Sequence, residues 1–291
     1  AERNLDPDGE NAVTGGKQAR LIPKAPARRQ GDRLARRGAT PSVAIDVRSG
    51  TQAADVWSVR SQTFTGHASS QNLFVGDLVA VPEAGGEAFN LYDAALMGAT
   101  YLDFLRGGPS GSPQLVVTFS ITNPSLSSFS PSNNTITQAR NAGYDDTVLL
   151  HEMGHYIVHN FSASSSPGGS HRLSDCNQDL RLAFDEGHAT AWGTSVRRHF
   201  NLPYSSSYVR TTGQGGPGNL QFSFDTETQQ PFICRGATSE MTVLAALWDL
   251  MDGPATPDLG PGGSSDGTDE AWDLLLDLDR EYWLALVSNF L

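Results

Sequence analysis

Asp145-Asp146-Thr147-Val148-Leu149-Leu150-His151-Glu152-Met153-Gly154-His155-Tyr156-Ile157-Val158 is the stretch from which the rest of the chain is read. It opens with helix-capping chemistry. A short acceptor side chain precedes the apolar run, and negative charge sits at the positive end of the helix dipole. The apolar residues on both sides of His151-Glu152-Met153-Gly154-His155 predict a buried helix. On such a helix two histidines four apart lie on one face, one turn above the other, so both imidazoles reach a single zinc ion. Glu152 stands beside them, placed to take a proton from a water held there. The motif therefore predicts zinc chemistry, with His151 and His155 as ligands and Glu152 as general base.

A catalytic zinc needs a third protein ligand and an open position. The metzincin pattern, with Gly three and His six residues after the second histidine, is excluded because Val158 and Phe161 occupy those positions. His159 shares a face with His155, but three ligands along one straight helix fan around its axis, so His159 is expected to line or pack beside the cleft. The better segment is Leu182-Ala183-Phe184-Asp185-Glu186-Gly187-His188-Ala189-Thr190-Ala191-Trp192, in a helix predicted from about 178 to 199. Leu180, Ala183, Phe184, Gly187, Ala191 and Val196 give it a rough apolar stripe, and Glu186 lies within that stripe. A carboxylate on a buried face requires a partner, and a metal is one. Small Gly187 and Ala189 permit close helix approach. Asp185 points roughly 100° away, suited to orienting a histidine ligand from behind. His188 is the competing ligand, and the His₂Glu set used by peptidases favours Glu186.

This arrangement, the zinc motif followed by Glu186 in an Asp-Glu-Gly-His-Ala helix, resembles a gluzincin-type zincin, the superfamily of thermolysin and fungalysin. Ala88-Phe89-Asn90-Leu91-Tyr92-Asp93-Ala94-Ala95 and Met241-Thr242-Val243-Leu244-Ala245-Ala246-Leu247-Trp248-Asp249-Leu250 are similar to helices that flank the site in that group. The resemblance spans about residues 86–252. It implies an α+β zincin-like domain, with a small mixed sheet over the motif helix and a mainly helical C-terminal lobe. It implies a zinc-dependent metalloendopeptidase acting on peptide or protein substrates. It also implies that an antiparallel edge strand, placed at Asn133–Gln138, bounds the cleft and binds substrate by β-augmentation. The spacer from His155 to Glu186 is longer than in thermolysin-like chains. It is rich in Ser, Gly and Pro and holds Cys176. The donor that stabilises an oxyanion is not marked by position. His188, Tyr204 and Tyr208 are its candidates, with His171 and His199 behind them.

Composition narrows the class further. The 291 residues suit one large domain or two lobes. A formal net charge of −12 argues against a nucleic-acid partner. The first 40 residues carry a net charge of +4 and little periodicity, and they read as a basic extension or linker. A pro-segment and an electrostatic tether are the alternatives. Residues 41–291 read as the catalytic domain, with sheet and motif helix to 160 and the helical lobe beyond. There is no run of membrane-spanning length. The start at Ala1 fits an exported mature product or a segment of a longer protein. Cys176 and Cys234 are expected to form a disulfide if the protein is secreted, periplasmic or on the cell surface.

Along the chain, Ser42–Arg48, Ala54–Arg60 and Leu73–Val81 alternate as strands. Gly86 to Arg106 reads as a helix, Gln114–Ile121 as a central strand and Asp269–Leu291 as a helix. Residues 203–231 read as loop. Asp258, Asp266 and Asp269 lie in a Gly/Pro-rich loop without the spacing of a calcium-binding helix–loop–helix. A zincin-fold binding or adhesion module without turnover is the rival reading, together with a zinc hydrolase of non-peptide amides or esters.

Overall fold

The computed structural model describes residues 42–58, 80–82, 85–109, 111–122, 126–163, 165–203, 207–212, 219–226, 229, 231–232, 234, 238–251 and 279–288. The basic segment 1–40, the third predicted strand (73–79), Tyr204, the glycine cluster 213–218 and the three loop aspartates lie outside these residues, as do positions 269–278 and 289–291 of the C-terminal helix.

The class is α+β. Strand β1 (Ile45–Arg48) pairs in parallel with β2 (Leu115–Phe119), and β2 pairs in parallel with β4 (Thr135–Gln138). β3 (Ser128–Ser130) closes the sheet antiparallel to β4, giving the order β1-β2-β4-β3. A parallel pair needs a long crossover, and helix α1 (Gly86–Leu105) supplies it between β1 and β2. Alternate strand residues, Ile45, Val47, Leu115, Val117, Phe119 and Ile136, are buried in the core.

Two strand expectations are corrected. Residues 135–138 form an interior, parallel strand, and the antiparallel edge is Ser128–Ser130 instead. Ile136 and Gln138 are fully buried with a strand on each side, whereas Ser128 is exposed. Of the Ala54–Arg60 run, the described part contributes a lone antiparallel bridge between Val56 and Arg48. Trp57 there donates its indole N–H to the Phe119 carbonyl at 2.9 Å.

The motif helix α2 (Asp146–Phe161) is capped as its sequence predicts. Asp145 accepts from the Val148 N–H at 3.3 Å and from the Thr147 hydroxyl at 2.6 Å. Leu149, Leu150, Met153 and Ile157 are fully buried, each contributing roughly 1.5–3 kcal/mol of burial. Helix α3 (Leu180–His199) lies against α2, and helix α4 (Glu240–Met251) lies against α3. Two glycines set these approaches. A Cβ on Gly154 would stand 2.5 Å from the Ala189 Cα, so α2 and α3 touch backbone to backbone. A Cβ on Gly187 would stand 2.7 Å from the Glu240 carbonyl oxygen. Gly187 thus serves the α3–α4 contact, and Ala189 serves the contact with the motif helix.

The C-terminal lobe is less helical than expected. Within the stretch read as loop, β5 (Ser207–Thr212) and β6 (Asn219–Asp225) pair antiparallel. Phe224 packs with Ala191, Met241, Leu244 and Leu247 in a second core. Helix α5 (Asp279–Val287) returns to the first core through Trp283 and Leu286. Cys176 and Cys234 form a disulfide, tying the spacer to the segment before α4.

Candidate metal centre

Helix geometry brings the motif side chains to one point. His155 Nε2 lies 3.3 Å from His151 Nε2. Glu186 Oε2 lies 3.2 Å from His151 Nε2 and 3.3 Å from His155 Nε2. Ligands held about 2.05 Å from a tetrahedral ion stand about 3.3 Å apart, so the triangle has the size of a site for one tetrahedrally held metal ion. All three side chains are largely buried: His151 and His155 are 15% and 14% exposed and Glu186 is 9% exposed.

The groups behind the ligands fix their orientation. His155 Nδ1 faces Asp185 Oδ2 at 3.3 Å, and His151 Nδ1 faces the Thr190 hydroxyl at 2.9 Å. The Asp185 carboxylate, which only accepts, holds the proton on His155 Nδ1, and the Thr190 hydroxyl positions the His151 ring through Nδ1. Three atoms able to bind a metal converge here, and among the described residues Glu186 Oε2 is buried without a hydrogen-bond partner. Burial pushes the Glu186 carboxyl up, but His151 and His155 outweigh it and hold the group well below the usual carboxylate range. Burial likewise lowers His155, and Asp185 and Glu186 override it, raising the imidazole well above its ordinary value. His151, His155 and Glu186 form a group able to hold a metal ion. Glu152 is buried on the same helix, with the electrostatic influence of its carboxylate reaching His155.

The other predicted residues divide clearly. Asp185 stands where it was placed, behind His155. His188 faces neither the ligands nor a substrate-sized opening. It is 1% exposed, between Phe184 and Tyr282, and burial pushes its pKa down to about 3. That position answers the expectation of His188 as third ligand or oxyanion donor: its ring lies on the opposite side of α3 from Glu186. His199 lies in an aromatic cluster, its ring 4.5 Å from Phe104 and 5.2 Å from Tyr101. His159 packs on Phe129 of the edge strand at 5.9 Å. Tyr208 stands beside the cluster, its ring 6.4 Å from His151 and stacked on Phe224.

Sequence reasoning missed Thr190 and Glu240 and underweighted His171. Thr190 follows Glu186 by four, on the same helix face, which is the signal that finds it. His171 reaches back from the spacer to put Nε2 3.4 Å from Glu186 Oε2 and 3.6 Å from Glu240 Oε2. Glu240 opens α4, and nothing local in its sequence announces a site. Among the described residues, no helix is long and apolar enough to cross a membrane.

No family model matches the chain. A protein of Archaeoglobus fulgidus, described only as uncharacterized, is 27% identical over 216 residues, 72% of this chain. The chain spans 57% of that relative's length.

Proposed function

We propose that the protein is a zinc-dependent metalloendopeptidase of the gluzincin type. One observation carries the reading: three lone-pair atoms of His151, His155 and Glu186 lie 3.2–3.3 Å apart, the size of a tetrahedral zinc site, with Glu152 on the motif helix beside them. When bound, zinc would polarise a substrate carbonyl and acidify a water. The chain's own groups do the remainder. Asp185 and Thr190 hold the two imidazoles in register. Glu152 accepts the proton of the attacking water and returns it to the leaving amine nitrogen. Tyr208 is the candidate, among the described residues, for the donor to the developing oxyanion. The edge of β3 would take an extended peptide by main-chain pairing, since its Phe129 packs on Tyr156 of the motif helix at 6.2 Å. The disulfide supports a secreted, periplasmic or cell-surface location.

Glu152→Gln tests the mechanism. The variant is expected to keep its metal and to lose about 10²–10⁴-fold in turnover, measured with a broad peptide library with and without chelator. Full activity would remove Glu152 from the mechanism. One equivalent of zinc with no chelator-sensitive cleavage in the unaltered protein would favour a binding module.

A further inference from the structure

A second set of ligand atoms converges beside the first, across Glu186. His171 Nε2 lies 3.4 Å from Glu186 Oε2 and 3.6 Å from Glu240 Oε2, and the three residues form a group able to hold a cation. These separations are within a few tenths of an ångström of the roughly 3.3 Å expected between ligands of one tetrahedral ion.

The set is held from behind on every side. Glu240 is 3% exposed, and its Oε1 accepts from Gln178 Nε2 at 2.9 Å. The Glu240 N–H donates to Gln178 Oε1 at 2.6 Å, and the Gln178 N–H donates to the Thr238 carbonyl at 2.9 Å. The Cys176–Cys234 disulfide ties the segment bearing His171 to the chain leading into α4. His171 Nδ1 lies 3.3 Å from the Gly169 carbonyl, which only accepts, so Nδ1 carries the proton. In the neutral imidazole Nε2 is then a lone pair, and it faces two carboxylate oxygens. Glu186 Oε2, buried and without a hydrogen bond among the described residues, is the oxygen common to both groups.

We propose that His171, Glu240 and Glu186 hold a second divalent transition-metal ion, with Glu186 bridging it to the ion held by His151 and His155. One nitrogen and two carboxylate ligands suit zinc or manganese. The inference rests on the zinc reading of the first site, because the two share Glu186. A bridged pair would grip both oxygens of a substrate in the manner of two-metal hydrolases.

Metal stoichiometry decides it. The full chain, loaded with Zn²⁺ alone and desalted, is expected to carry two equivalents by mass spectrometry. Anomalous diffraction at the zinc edge should show two peaks, one beside His171. Glu240→Gln and His171→Ala should each carry one equivalent and keep the peak at His151 and His155. Should Glu240→Gln fail to fold, His171→Ala alters a partly exposed residue and decides the matter alone. One equivalent in the unaltered protein, with a single peak at His151 and His155, would overturn the second site. No bound zinc at all would instead overturn the first-site reading, so the two failures are told apart.

Discussion

Glu186 and His188 stand two residues apart on α3 and share a helix but not an environment. Residues two apart on a helix point about 200° away from one another, so only one of them can face α2. Glu186 meets two imidazoles whose Nδ1 atoms are already engaged by Asp185 and Thr190. His188 meets Phe184 and Tyr282, and among the described residues its Nδ1 is buried without a hydrogen bond. Both faces are buried, so burial alone does not distinguish a site from a core. The difference is convergence: on one face lone pairs point at a common centre, and on the other an isolated ring is held neutral by its apolar surroundings.

The largest effect that breaks or keeps this comparison is metal binding. Glu186→Ala is expected to lower zinc affinity by at least the order of 100-fold, because partners behind ligands already account for 10–100-fold. His188→Phe is expected to retain full zinc content, since a phenyl ring suits the stack with Phe184 and Tyr282. Isothermal titration with zinc and a competing chelator measures both. Loss of zinc in His188→Phe with retention in Glu186→Ala would reverse the roles of the two faces.

What the sequence made legible follows from how local each signal is. The Asp145 cap and the motif helix are written within one short stretch, and both stand in the structure. In the sequence the choice of Glu186 over His188 rests on the His₂Glu ligand pattern, and the two-residue offset separates them physically only once the helix is placed. Thr190 is marked only by its spacing of four from Glu186, because a threonine behind a histidine otherwise looks like any other helical threonine. Glu240 and His171 meet Glu186 only through tertiary packing and a disulfide. The resemblance places the edge strand at 133–138, whereas the true edge, Ser128-Phe129-Ser130, is too short to show periodicity and its pairing partner is not written locally. β5 and β6 alternate polar and apolar residues, but the glycines between them dominated the reading of that region as loop.

A smaller effect sharpens the convergent face. Asp185→Asn and Thr190→Val leave all three ligands in place and remove only what orients them. Each is expected to weaken zinc by about 10–100-fold. Their circular dichroism should remain that of the unaltered protein, since neither side chain belongs to the apolar core. Unchanged affinity in both would mean that helix packing, set by Gly154 against Ala189, orients the histidines without help.

The smallest effect belongs to the opposite face. Among the described residues the Tyr282 hydroxyl is buried without a hydrogen-bond partner, and burial raises its pKa above the ordinary tyrosine value. Burial, and then Asp279, raises Tyr101 in the same pocket. Both hydroxyls therefore stay neutral in the folded chain at a pH where an unfolded tyrosine ionises, near 10. Between those values the folded state binds more protons than the unfolded state, so their contribution is complete below about pH 10 and is lost as pH rises beyond it. Tyr282→Phe removes one of the two titrating groups and an unsatisfied hydroxyl together. It is expected to stabilise the protein by about 1 kcal/mol at neutral pH and to flatten the alkaline loss, read from denaturant midpoints between pH 8 and 11. A Tyr282→Phe variant that is less stable at neutral pH would mean that the hydroxyl makes a favourable bond. The back of α3 would then be a polar site in its own right, and the contrast with Glu186 would fail there.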